Sequence, residues 1–184
     1  MADKTKGGDG DDKKPKRVES ESTKTDYDTI EQRIPQMLDK WSRGETNLRE
    51  LYGYTDDELY GISSQAFTLL MAGKLEPAKV IFEGLVALDP RNDYYYRALG
   101  FLYHRLGDAD RAVRQFGYAI QVQPKDLISY VNRAEVFVQQ KSWGKAEDDL
   151  RRVLQIGASD PAHPMVRKAT AMLQMLPRSR ARIG

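Results

Sequence analysis

The 184-residue chain has no cysteine, which excludes disulfides and thiolate chemistry and is compatible with a reducing cytoplasm. It has two histidines, His104 and His163, far apart and without a neighbouring acid pair. No zinc spacing, phosphate-binding loop or dinucleotide-binding glycine motif occurs. A catalytic role, a metal and a cofactor are therefore not expected. No apolar run approaches the roughly 18 residues that a membrane-spanning helix needs. The opening Met-Ala-Asp-Lys lacks the apolar core of a secretory signal. The chain is expected to be cytoplasmic and not to insert into a membrane.

An excess of charge of one sign is lacking too. The chain carries 29 Lys and Arg against 27 Asp and Glu, a net charge of +2. Residues 1–26 hold seven basic and seven acidic side chains, and Val18 is their only branched apolar residue. Such a segment cannot bury enough surface to offset ordering, so a disordered charged tail is expected. The basic excess sits in a second short tail, 177–184, with Arg178, Arg180 and Arg182. A nucleic-acid face needs its excess on the folded surface, so nucleic acid is not an expected partner.

What the chain does have is a repeat. Ala66, Gly100 and Ala134 recur every 34 residues. Ala78, Ala112 and Ala146 keep the same period, as do Phe82, Phe116 and Leu150. Pro90 and Pro124 close the first two units, and Ala158 stands where the third proline would be. Small residues allow close helix approach, the large residue fills the gap to the next unit, and proline ends a helix. This pattern is the signature of tetratricopeptide (TPR) helical hairpins. The fold class is therefore all-α, with three TPR repeats at 59–92, 93–126 and 127–160. The TPR domain spans 55–176.

Each unit holds two helices, A and B, expected at 55–72 and 75–88, 93–106 and 109–122, then 127–140 and 143–156. Gly73 and Gly107 mark the first two turns, and Lys141 holds the matching place in the third. Thr55 and Glu58 form a capping box ahead of the first unit. Asp108 and Asp110 are expected to cap a helix, and Glu147, Asp148 and Asp149 to form a solvated face. Residues 161–176 read as a final helix covering the last unit, with Pro161 or Pro164 in its first turn.

Residues 27–54 precede the repeats. A helix is expected over 27–43, with Ile30, Ile34, Met37, Leu38 and Trp41 as one apolar stripe and Pro35 inside it. Gly44 is its expected stop, and 45–54 is expected to be a linker or turn. The stripe must pack on the stack, on a second subunit, or on both.

In a TPR stack, positions 2, 5, 9, 12 and 13 of helix A usually face the concave groove. The first unit offers Tyr60, Ser63, Phe67, Leu70 and Met71. The second offers Tyr94, Arg97, Phe101, His104 and Arg105, and the third Ile128, Val131, Glu135, Val138 and Gln139. From these, the candidate peptide-binding residues are Tyr60, Ser63, Phe67, Leu70, Met71, Tyr94, Arg97, Phe101, His104 and Val131. Co-chaperones that grip a C-terminal carboxylate carry Lys and Asn at positions 5 and 9 of the first unit. Ser63 and Phe67 stand there, so that clamp is missing. An extended peptide with apolar anchors suits this lining. Packing of Phe67, Leu70 and Tyr94 against the preceding helix is the alternative.

The run Gly53-Tyr54-Thr55-Asp56-Asp57-Glu58-Leu59-Tyr60, followed by Ala66-Phe67, Gly73-Lys74, Val80-Ile81-Phe82 and Leu85-Val86-Ala87-Leu88-Asp89-Pro90, resembles a known opening. It is similar to the class II chaperones of bacterial type III secretion, the SycD/LcrH/IpgC group. The resemblance covers a little over half of the chain. It implies a non-enzymatic cytoplasmic chaperone that holds two hydrophobic translocator proteins before secretion, through an extended segment laid in the groove. It also implies dimerisation through the first helix, here by Ile30, Ile34, Leu38 and Trp41. A TPR adaptor for another bacterial complex is the competing reading.

Overall fold

The computed structural model describes residues 34–177, so Ile30, the tail 1–26, residues 27–33 and the arginines after Pro177 lie outside it. The chain divides into two units, 1–45 and 46–184. In the first, helix α1 covers the described residues 34–42, with Pro35 near their beginning. Gly44, at φ 69°, ends it. The amides of Gly44 and Glu45 return to the carbonyls of Trp41 and Lys40. That pair of bonds closes a left-handed helix stop. Ile34, Leu38 and Trp41 are exposed.

The second unit is helical throughout its described regular structure. It starts with a short helix, α2 (Leu48–Tyr52), capped by Asn47, where a linker was expected. Local capping accounts for the difference: the Asn47 side chain accepts from the Glu50 amide, and Gly53 closes the turn at φ 74°. Three hairpins follow. They are α3 (Asp56–Met71) with α4 (Leu75–Leu88), α5 (Asp93–Arg105) with α6 (Ala109–Val122), and α7 (Leu127–Gln139) with α8 (Trp143–Ile156). Helix α9 (Pro164–Met175) packs against α8 and α7, with Pro164 in its first turn.

Caps explain most of these boundaries. The Thr55 hydroxyl accepts from the Glu58 amide, while the Glu58 carboxylate accepts from the Thr55 amide. Those bonds hold the Glu58 carboxyl below its ordinary range. Asp108 caps α6 by accepting from the Arg111 amide. Asp110 does not cap; its carboxylate accepts from the Gln140 side chain at 3.2 Å.

The 34-residue period extends into backbone conformation. Gly73, Gly107 and Lys141 occupy the same hairpin turn, all left-handed, at φ 75°, 81° and 57°. Each closes the same two bonds back into its helix A, in the third unit from Lys141 to Val138 and from Ser142 to Phe137. A side chain in this region costs about 1–2 kcal/mol, of which glycine returns a part as backbone entropy. Lys141→Gly is therefore expected to raise the unfolding free energy by about 0.5–1 kcal/mol. Chemical denaturation checks this, and an unchanged or lower midpoint would refute it.

The core follows the repeat landmarks. Phe82, Phe116 and Leu150 have no exposed surface, nor have Ala66, Ala134, Ala78, Ala112 and Ala146. One cluster joins the first two hairpins around Phe82 and Phe116. A second joins the third hairpin to α9 around Leu150, Val153 and Val166.

The acidic run on α8 departs from expectation, because Asp149 is buried rather than solvated. Its two carboxylate oxygens accept from Arg133 on α7 at 2.8 and 2.7 Å. The Arg133 guanidinium also lies over the Tyr130 and Phe137 rings. Burial opposes its charge, but the Asp149 hydrogen bonds and attraction outweigh this and raise its pKa. Asp149 shares a face with Ala146, Leu150 and Val153, which carries it into the helix interface.

Candidate peptide-binding groove

The A helices α3, α5 and α7 place their side chains along one face of the stack. The capping box fixes the start of α3 and hence the rotation that aims Tyr60 and Phe67 outward. They are 74% and 46% exposed, a large aromatic area without cover in this unit. Tyr94 on α5 faces them. It is half-buried, its ring edge-on to Phe82 at 5.9 Å between centroids, with the Arg97 guanidinium 5.7 Å away. Burial pushes its phenol pKa up, so it enters the site as a neutral donor with an apolar body.

A cavity of about 470 Å³ gathers Tyr60, Ser63, Phe67 and Tyr94, with Ser64, Leu59 and Tyr95 beside them. Arg49 from α2, Asp56 and Asn92 also line it. Arg49 pairs with Asp56 and, at 3.3 Å, with Asp89. Ser63 itself is buried, and its hydroxyl donates to the Tyr60 carbonyl at 2.9 Å. This cavity is a nearly neutral aromatic trough.

A second cavity, of about 580 Å³, opens where the C-terminal ends of α5 and α7 meet α9. It gathers Phe101 and His104 with Arg105, Asn132, Glu135, Val138 and Gln139. His104 Nε2 lies 2.8 Å from Gln139 Oε1, linking the second and third units. Lys168 and Met172 reach it from α9, and Lys168 pairs with Glu135 at 2.8 Å.

Four candidate residues line neither cavity. Leu70 is buried in the first core cluster and Val131, fully buried, in the second. Arg97 bridges Asp93 at 3.0 Å and Asp126 at 2.8 Å, tying α5 to the cap of α7. Met71 is exposed at the end of α3. Arg49, Lys168 and Met172 were missed by sequence reasoning because they lie outside the helix-A positions of the repeat. Among the described residues no group of three or more His, Asp or Glu could hold a metal ion. No described helix is long and apolar enough to cross a membrane.

Three stacked hairpins and a covering helix define a TPR-like domain, with an aromatic trough on its helix-A face. No family model matches the chain. It is similar to the Low calcium response locus protein H of Yersinia pseudotuberculosis, 25% identical over 124 residues, covering 67% of this chain and 74% of that protein. Among solved structures it is similar to PcrH in complex with the chaperone binding region of PopD, at 27% identity and a TM-score of 0.62. That match covers 66% of this chain and 92% of the other. The Yersinia enterocolitica type III secretion translocator chaperone SycD matches at 24% identity and a TM-score of 0.66, covering 70% of this chain and 97% of that one. Its similarities therefore lie with the LcrH/SycD group of type III secretion translocator chaperones.

Proposed function

We propose that this protein is a cytoplasmic chaperone for hydrophobic type III translocators. It holds an extended segment of its cargo in the helix-A groove and keeps the cargo from aggregating or associating before secretion. The aromatic trough of Tyr60, Phe67 and Tyr94 is the observation that carries this reading. Related chaperones support it: PcrH is solved with the chaperone binding regions of PopD and of PopB. Apolar side chains of the cargo would fill the trough, and the polar rim would fix the register of its backbone. Of the wider candidate set, Ser63 lines the trough and Leu70 packs in the first core cluster, whereas Met71, Arg97 and Val131 line neither cavity. Co-expression with a translocator tests the proposal, which requires that soluble cargo rise and co-purify with the chain. Cargo that stays insoluble would refute it.

We further propose that the α1 stripe, with Ile30 preceding Ile34, Leu38 and Trp41, joins two copies. Exposed side chains at helical spacing form an apolar seam of the kind a second helix covers. Sedimentation checks this. The native chain is expected to run as a dimer and a Leu38→Glu, Trp41→Glu variant as a monomer. A variant that still dimerises would contradict the assignment.

A further inference from the structure

The two cavities of the groove differ in chemistry. In the first, the cation is already engaged, because Arg49 pairs with both Asp56 and Asp89. In the second, Lys168 is engaged by Glu135. Arg105 is not. It is exposed, its guanidinium lies 5.8 Å from the centroid of the Phe101 ring, and it forms no ion pair among the described residues. With Arg105 and Lys168 against Glu135, the second cavity carries one uncompensated positive charge. A guanidinium held beside a ring by cation–π attraction still has its donors free for a carboxylate. Asn132 lines the same cavity with an amide that both donates and accepts, as a peptide backbone requires.

We propose that the second cavity reads an acidic side chain of the cargo segment through Arg105, while an apolar anchor of that segment fills the first. The inference rests on the proposed groove function and adds a charge rule to it. Helix α5 sets the spacing. Tyr94 and Arg105 are eleven residues apart, about 16 Å along the axis. An extended chain covers about 3.3 Å per residue, so the acid lies about five positions from the anchor. A basic residue there would meet Arg105 and Lys168 and be rejected.

The test is selection of a random phage-displayed peptide library on the purified full chain, on Arg105→Glu and on Phe67→Glu. Circular dichroism of each protein verifies its fold. On the native chain the enriched peptides are expected to pair an apolar anchor with Asp or Glu about five positions away. On Arg105→Glu the anchor should persist while the acidic preference disappears. A synthetic enriched peptide with its acid changed to the amide should bind the native chain about two- to fivefold more weakly, and Arg105→Glu no differently. Anchors enriched without an acid, or an acidic preference that survives Arg105→Glu, overturn the charge rule and leave the groove reading intact. Failure to enrich any apolar anchor on the native chain, or enrichment unaffected by Phe67→Glu, overturns the groove reading as well.

Discussion

Phe116→Ala is expected to destabilise the protein by about 3–5 kcal/mol. The ring has no exposed surface and sits in the cluster that joins the first two hairpins. Its removal leaves a void between the first two hairpins, beside the second cavity that Phe116 helps to line. The neighbouring Gly100 sharpens the prediction. A Cβ placed on Gly100 would lie 2.6 Å from the Phe116 ring, closer than packed atoms tolerate. In the native chain, Gly100→Ala should therefore cost about 1–3 kcal/mol through overpacking. In the Phe116→Ala background the obstacle is gone and only the helix propensity remains, which favours alanine by about 1 kcal/mol. The same substitution should change sign between the two backgrounds. A thermal or urea double-mutant cycle reads this directly, and additive effects would show that ring and glycine are not in contact. The first and third units carry alanine where the second carries glycine, so this close approach belongs to the middle hairpin.

Phe67→Glu is expected to abolish cargo protection, with affinity for the cargo segment falling at least about 30-fold, the range of an interface hot spot. Phe67 is a partly exposed ring on the wall of the aromatic trough. A carboxylate there would have to be desolvated against the apolar anchor of the cargo. The free protein should keep its fold, because the new charge can stay in water. Titration calorimetry with the cargo segment and thermal unfolding separate the two effects. If Phe67 served only to pack a neighbouring helix, stability would fall and binding would survive.

Much of the architecture was legible because a TPR stack repeats its constraints. The small and large landmarks at 66, 78 and 82 and their counterparts fixed the hairpins, and the observed helices agree within about two residues. The turn residues were legible for the same reason, down to the position that Lys141 holds in place of glycine. Asp149 shows where reading fell short of what was available. Three adjacent acids look like one solvated face, yet their spacing on a helix divides them, and only Asp149 shares the face of Ala146, Leu150 and Val153. Helix α2 was hidden by brevity, since five residues are too few for a period to emerge.

The groove was half legible. Position rules found Tyr60, Phe67 and Tyr94, which one cavity gathers, and Phe101 and His104, which the other gathers. The same rules also pointed to Leu70 and Val131, which the stack buries. Such rules describe where a helix faces on average, whereas the tilt of each hairpin decides whether a borderline position meets solvent or a neighbour. Lys168 and Met172 come from the covering helix, outside the repeat, so no repeat position could announce them.

The central claim is that cargo lies on the helix-A face. Site-specific photo-crosslinking during co-expression with a translocator tests it most directly. A benzoylphenylalanine in place of Tyr60, exposed beside the trough, is compared with one in place of Tyr118, an exposed aromatic on α6 that lines neither groove cavity. Strong crosslinks to cargo from position 60 and none from position 118 are the predicted result. Crosslinks from position 118 with none from position 60 would contradict the account.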